Sequence, residues 1–121
     1  SFTNIDKEIA TFSRFWLRDI LRNKIGFTGT IFSDDLSMKG TDYVGGIEAK
    51  VGKALESGCN MVLVCNDRPA AVGAINFLEK EEISQSHKIT KLKAFQSISW
   101  ADLEKDARRK DIIGKLKTIE K

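Results

Sequence analysis

The chain has 121 residues, of which 41% are hydrophobic and 31% are charged, and its 20 basic and 17 acidic side chains leave a formal net charge of +3. This length is enough for one modest domain and too short for two. The charge excess is too small to indicate a nucleic-acid partner, and no apolar run approaches the roughly 20 residues that cross a bilayer, so we expect no membrane partner either.

The first predicted element is an amphipathic helix from Ser13 to Ile25. Apolar residues recur at helical spacing along it, Thr11 or Ser13 is a possible N-cap, and Gly26 would end the helix. The polar side carries three arginines that we expect to face water, namely Arg14, Arg18 and Arg22.

The most informative feature is an apolar run that ends abruptly in two carboxylates. The β-branched and aromatic residues of Thr30 to Ser33 predict a short buried strand, and Asp34 and Asp35 follow at its carboxyl end. Ligands of α/β proteins gather beyond the carboxyl ends of the strands, so the acidic pair is a candidate site. Asp35 to Gly46, with three glycines, is predicted to be a long loop.

A second helix and strand follow. Apolar residues from Ile47 to Leu55 form a helical stripe that Gly58 would end. The continuous run from Asn60 to Cys65 predicts a parallel strand buried on both faces. Asp67 then caps a helix that has Pro69 in its first turn and that continues through Phe77.

Two more helices are predicted, over about Ile83 to Phe95 and Trp100 to Ile119, and Ser99 begins the second with a pattern like a capping box. With only two predicted strands, the sheet would keep open edges that favour pairing with further strands. We therefore interpret residues 1–121 as a single α/β segment, without a second domain, that is completed by the rest of a longer protein or by another copy.

Cysteine usage and the first residues favour the cytoplasm. Cys59 and Cys65 match no zinc or redox spacing, so we interpret them as small buried thiols of a reducing compartment. Residues 1–10 contain no apolar core of a signal peptide. We expect Trp16 and Trp100 to pack in a core or an interface, and His87, the single histidine, to face solvent.

The segment from Gly26 to Met38, with the sequence GFTGTIFSDDLSM, is similar to the nucleophile signature of family 3 glycoside hydrolases. Within that family it most resembles the bacterial β-N-acetylglucosaminidases that recycle peptidoglycan. Further matches lie at residues 15–22, 54–66 and 107–108, so the likeness covers nearly the whole chain. It implies the C-terminal part of a TIM-like (β/α)8 barrel whose last two strands are Thr30 to Ser33 and Met61 to Cys65.

The resemblance also implies a function. Asp34 matches the nucleophile of a retaining exo-β-N-acetylglucosaminidase, which hydrolyses terminal N-acetylglucosamine from muropeptides. Asp35 would tune or orient the loop, while Ser33 and Met38 belong to the motif without an assigned role. The family's acid/base is a histidine well upstream of the nucleophile, which His87 does not match, so the segment alone is expected to be inactive. This chemistry requires no metal and no organic cofactor.

Two other interpretations stay open on the sequence. An acidic pair after a strand, in a chain of this length, is also typical of a phosphoacceptor receiver domain that binds magnesium. Against it, no convincing third, fourth or fifth strand follows Cys65. The second alternative is a non-catalytic segment that associates with itself, because exchange between copies could cover the unpaired strand edges.

Overall fold

The computed structural model describes residues 5–84, 86–94 and 97–119. Along the chain, the first elements are a 3₁₀ turn at Ala10–Phe12, a π-helix at Phe15–Lys24, strand β1 at Phe32–Asp35 and a 3₁₀ helix at Lys39–Val44. Helix α1 at Ile47–Ser57, strand β2 at Met61–Leu63 and helix α2 at Arg68–Lys80 follow. The last elements are a 3₁₀ helix at His87–Leu92, helix α3 at Trp100–Lys105 and helix α4 at Ala107–Ile119. The described chain is thus an α/β structure in which β1 and β2 pair in parallel.

The first predicted helix is present, but its backbone follows the wider π pattern. The Ile25 N–H donates to the Ile20 carbonyl at 2.9 Å, five residues back. Apolar spacing shows which helix face is buried and does not distinguish this pattern from an α-helix. Leu17 is buried on that face, as the amphipathic pattern predicts.

Strand β1 begins and ends two residues later than predicted. The acidic pair therefore belongs to the strand and does not follow it. Pairing with β2 continues past the acidic residues, because the Leu36 N–H donates to the Leu63 carbonyl at 2.9 Å. The predicted loop is also partly helical, since Lys39–Val44 forms a 3₁₀ helix that ends at Gly45, where φ is +118°.

The second strand is shorter than predicted, and the expected burial on both faces is wrong. Val62 packs against the core, whereas Leu63 keeps 38% of its surface exposed. Successive residues of a strand point to opposite faces. Within residues 5–84, 86–94 and 97–119, one face of the sheet therefore packs on the core while the other stays open.

Helix α1 begins and ends as predicted, whereas α2 begins at the predicted cap and continues to Lys80, three residues beyond Phe77. Gly58 ends α1 with φ at +130°, a left-handed conformation that favours glycine. The Asp67 carboxylate accepts a hydrogen bond from the Ala70 N–H at 3.0 Å, so it caps α2 as predicted.

The end of the chain departs most from prediction. In place of a helix over Ile83 to Phe95, the described part contains only the 3₁₀ helix His87–Leu92, and Phe95 lies outside the described residues. The helix predicted from Trp100 is present but breaks at Asp106, whose carboxylate accepts from the Arg109 N–H at 2.8 Å and so caps α4. Trp100 is 82% exposed and does not pack in the core of this chain.

The core lies between the sheet and the helices on its covered face. It consists of Phe12, Leu17, Ile31, Leu36, Val51, Ala54, Cys59 and Ala74. Among the helices of the described residues, none is long and apolar enough to cross a membrane.

Candidate functional site

The candidate site lies at the carboxyl end of β1, next to the end of β2. Asp34 is exposed and Asp35 is half-buried, while the preceding Ser33 is buried. As the sequence predicts, both carboxylates lie at the carboxyl end of a parallel strand. Their surroundings differ, and this difference separates what the two carboxylates can do.

The backbone of Asp34 is held on both sides, whereas its carboxylate is exposed. Its N–H donates to the Thr11 hydroxyl at 2.9 Å, and its carbonyl accepts from the Ser33 hydroxyl at 2.6 Å. One carboxylate oxygen, Oδ1, accepts from the N–H of Asp35 at 2.8 Å. The side chain thus projects from a fixed backbone towards solvent, where a ligand has access.

The carboxylate of Asp35 is engaged with its neighbours. Its Oδ1 accepts from the Ser37 N–H at 2.9 Å, the Ser37 hydroxyl at 2.7 Å and the Cys65 N–H at 3.0 Å. These hydrogen bonds stabilise the charged form, led by the backbone bond from Ser37, and hold the pKa of Asp35 below its usual value. Asp35 therefore fastens the turn after β1 to the end of β2.

A β-bulge lies at the acidic pair. Phe32 pairs with Met61 and Asp35 pairs with Leu63, so Ser33 and Asp34 together stand opposite one residue of β2. The Ser33 hydroxyl accepts from the Leu63 N–H at 2.9 Å and donates to the Asp34 carbonyl. Bulges of this kind redirect a side chain and often lie next to active sites.

Thr11 is a site residue that sequence reasoning missed. The sequence offers it as a possible helix cap, but its buried hydroxyl instead accepts from the Asp34 N–H. The two residues are 23 positions apart, so no local pattern connects them.

The turn after the acidic pair is fixed by buried groups. The carbonyl of Leu36 accepts from the Thr41 hydroxyl at 2.9 Å and from the buried Lys50 ammonium at 3.2 Å. Lys50 also forms a 2.7 Å ion pair with Asp42. Met38, in the same turn, is partly exposed.

The expectation that all three arginines face water is wrong for Arg22, which is half-buried. Its guanidinium donates to the carbonyls of Phe27 at 2.8 Å and Gly29 at 2.6 Å, and to Asn60 Oδ1 at 2.7 Å. The same Asn60 oxygen accepts from the Ile31 N–H at 3.0 Å. Arg22 therefore secures the segments that enter both strands. Arg14 is exposed, as expected.

The two cysteines differ in burial. Cys59 is buried, and burial raises the pKa of its thiol to about 11. Cys65 is exposed at the end of β2, so the expectation of two buried thiols is wrong for it. The open face of the sheet explains this, because no other described residue covers the strand end on that side.

Other candidate features lie away from the acidic pair. A mainly apolar cleft of about 440 Å³ surrounds the start of β2 and is lined by Leu55, Cys59, Asn60, Met61, Val62, Leu78, Ile83, Ser84, Ser86 and Ile89. His87 is exposed, as expected. In the part of the chain that the structure describes, no three His, Cys, Asp or Glu side chains converge as a metal site would require.

Comparison with known proteins identifies related sequences. Residues 1–96 match the family model described as the glycosyl hydrolase family 3 N-terminal domain. A beta-hexosaminidase of Mannheimia succiniciproducens is 38% identical over 112 residues, which is 88% of this chain and 32% of that protein. The chain thus spans about a third of the length of this curated relative.

Solved structures show the same relationship. NagZ from Neisseria gonorrhoeae, in complex with N-trifluoroacetyl-D-glucosamine, is 37% identical with a TM-score of 0.57, over 74% of this chain and 24% of that chain. The beta-N-acetylglucosaminidase from Thermotoga maritima is 29% identical with a TM-score of 0.57, over 74% of this chain and 21% of that chain.

Proposed function

Because the chain belongs to glycosyl hydrolase family 3, we propose that it carries the nucleophile of a retaining exo-β-N-acetylglucosaminidase. The proposed substrate is a muropeptide with a terminal N-acetylglucosamine, cleaved in the cytoplasm during peptidoglycan recycling. One observation carries the proposal: Asp34 presents an exposed carboxylate on a fixed backbone at the carboxyl end of a parallel strand. Family membership excludes the receiver-domain alternative.

The chemistry assigns one role to Asp34. In a retaining mechanism an ionised carboxylate attacks the anomeric carbon as the glycosidic bond breaks, and a covalent glycosyl-enzyme forms. A second group protonates the leaving oxygen and then takes a proton from the water that releases the sugar. Neither step uses a metal or an organic cofactor. Relatives named as a hexosaminidase and an N-acetylglucosaminidase support an N-acetylated amino sugar as substrate.

Asp35 is poorly suited to act as the general acid and base of this mechanism. A general acid needs a raised pKa so that it still holds its proton at the working pH. The hydrogen bonds from Ser37 and Cys65 shift the pKa of Asp35 in the opposite direction. We therefore assign Asp35 to orienting the turn, and we place the acid/base outside residues 1–121.

The open sheet supports a larger barrel. Phe32 of β1 and Leu63 of β2 keep 43% and 38% of their surfaces exposed, although both are apolar. Exposed apolar residues on paired strands are typical of a face that other protein covers. We propose that residues 1–121 form one segment of a TIM-like barrel, with no second domain, and that the rest of the barrel covers this face.

A test of the nucleophile uses the complete barrel enzyme and a chromogenic aryl N-acetyl-β-glucosaminide. We expect Asp34→Asn to lower kcat by about 10³-fold or more, which corresponds to about 4 kcal/mol. Asp35→Asn is the matched control, since it removes the neighbouring charge and leaves Asp34 in place. A fluorinated substrate analogue that traps the covalent intermediate should label Asp34 in the wild type and in Asp35→Asn. Labelling of another residue, or wild-type turnover by Asp34→Asn, would refute the assignment.

The self-association alternative has its own test. Exchange of strands between copies would also cover Phe32 and Leu63. Sedimentation of the 121-residue chain tests this alternative. A well-folded monomer contradicts assembly through the strand edges, whereas a concentration-dependent dimer supports it.

A further inference from the structure

We propose that Ser33 and Thr11 are positioning residues that aim the Asp34 carboxylate, an inference that rests on the proposed role of Asp34 as nucleophile. Neither residue is expected to touch the sugar. Each acts through the backbone of Asp34, and together they fix the peptide groups on both sides of its Cα atom.

The hydroxyl of Ser33 takes the place of a backbone acceptor at the bulge. In an unbulged parallel ladder the Leu63 N–H would donate to a carbonyl of β1. Here it donates to Ser33 Oγ at 2.9 Å, and Ser33 Oγ donates in turn to the Asp34 carbonyl at 2.6 Å. Ser33 is buried, so water does not readily replace this bridge. The hydroxyl therefore holds the extra residue of the bulge in one conformation.

The hydroxyl of Thr11 holds the other side of Asp34. It accepts from the Asp34 N–H at 2.9 Å, and it belongs to the 3₁₀ turn Ala10–Phe12, which is not part of the sheet. The Ser57 hydroxyl bonds the Phe12 carbonyl at 2.8 Å and so ties this turn to the end of α1. Asp34 is thus anchored to β2 on one side and, through the turn, to α1 on the other.

Fixing both peptide groups restricts where the carboxylate can lie. With the backbone held, the side-chain torsions are the main freedom left to the exposed carboxylate of Asp34. A nucleophile must approach the anomeric carbon within a narrow range of distance and angle, and a displacement of about 1 Å costs on the order of 100-fold in rate. Loss of either hydroxyl should therefore slow the formation of the covalent intermediate more than it weakens substrate binding.

The test compares matched pairs of variants in the complete barrel enzyme. Thr11→Val removes the hydroxyl and keeps the shape of the side chain, whereas Thr11→Ser keeps the hydroxyl. Ser33→Ala removes the bridge, and Ser33→Thr retains it. Thr90→Val is the control, because the Thr90 hydroxyl also donates to a backbone carbonyl, that of His87, but in the 3₁₀ helix His87–Leu92, which contributes no residue to the candidate site.

The measured quantities are kcat, KM and the rate of labelling by the fluorinated analogue, all normalised to the fraction of protein that finally becomes labelled. This normalisation removes any loss that comes from unfolded molecules. We expect Ser33→Ala and Thr11→Val to lower kcat and the labelling rate by about 10- to 100-fold with KM changed less than about 3-fold. Thr11→Ser should recover most of the rate, and Thr90→Val should keep the wild-type rate per labelled site.

Each outcome separates this inference from the proposed function. If Asp34 is labelled at the wild-type rate in both Ser33→Ala and Thr11→Val, the positioning role is wrong while the nucleophile assignment stands. If Thr11→Ser is as slow as Thr11→Val, the hydroxyl is not the active group and the inference fails for Thr11. If the label lies on another residue in the wild type, the proposed function itself fails. Should Ser33→Ala not fold, the Thr11 pair alone decides the question.

Discussion

Leu36 offers the sharpest test of how the turn after the acidic pair is held. Its side chain is 0% exposed, and its backbone is fixed by the Leu63 carbonyl, the Thr41 hydroxyl and the Lys50 ammonium. Replacing a buried leucine by alanine costs about 2.7–5 kcal/mol, and the cost rises when the surroundings cannot collapse into the cavity. Because three bonds hold this backbone, we expect Leu36→Ala to lower the free energy of unfolding by about 3–5 kcal/mol.

The assay is urea unfolding of the chain, followed by far-ultraviolet circular dichroism. Leu116→Ala is the control: the substitution is the same, but Leu116 is 55% exposed, so a change within about 0.5 kcal/mol is expected. Leu36→Met keeps the side-chain volume and should cost less than about 1.5 kcal/mol. Equal effects of the two alanine variants would show that Leu36 does not pack as described, and the argument for a rigid turn would fail with it.

Three further predictions follow from the contacts of single side chains. Arg22→Lys should lower the free energy of unfolding by about 1.5–3 kcal/mol because an ammonium does not reproduce the three bonds of the guanidinium; Arg14→Lys, at an exposed position, should change it little in the same urea titration. A thiol reagent at pH 8 should modify Cys65 rapidly and leave Cys59 unmodified, since burial raises the pKa of Cys59 to about 11; mass spectrometry would contradict this by finding two fast adducts. Because folding lowers the pKa of Asp35, the ionised carboxylate stabilises the fold at pH values above its unfolded-state pKa of about 3.9, and this stabilisation is lost as the pH falls through the lower pKa of the folded state. The free energy of unfolding should therefore fall less steeply with decreasing pH in Asp35→Asn than in the wild type. Identical acid-unfolding profiles of the two proteins would refute this prediction.

Local patterns predict the helices that flank the sheet well. Gly58 and Asp67 end one helix and begin the next as predicted, because a left-handed glycine and a capping carboxylate act on the backbone within a few residues. Asp106 acts in the same local way, but it lies inside a periodic segment, and there its capping carboxylate interrupts the predicted helix. The periodic apolar pattern therefore predicted one continuous helix and did not show that Asp106 would interrupt it.

The details of the site escape prediction because they depend on contacts that are distant in sequence. The Thr11 hydroxyl reaches a backbone N–H 23 residues later, and the Arg22 guanidinium reaches Asn60, 38 residues later. A helical pattern separates polar from apolar residues. It does not show whether a polar group meets water or a backbone carbonyl. The bulge is equally hard to predict from the sequence, because the hydroxyl of a serine such as Ser33 often contacts only solvent.

The sheet also explains why the acidic pair divides into two roles. Had the strand continued in regular register, Asp34 would pair with Leu63 and Asp35 would lie beyond that pair. The extra residue shifts this pairing to Asp35, whose carboxylate meets the amide of Cys65 at the end of β2. Asp34 is then opposite no residue of its own and keeps an exposed carboxylate on a backbone held by Thr11. One inserted residue thus makes one carboxylate structural and leaves the other available to a ligand, which is the separation of roles that the proposed assignment of Asp34 as nucleophile requires.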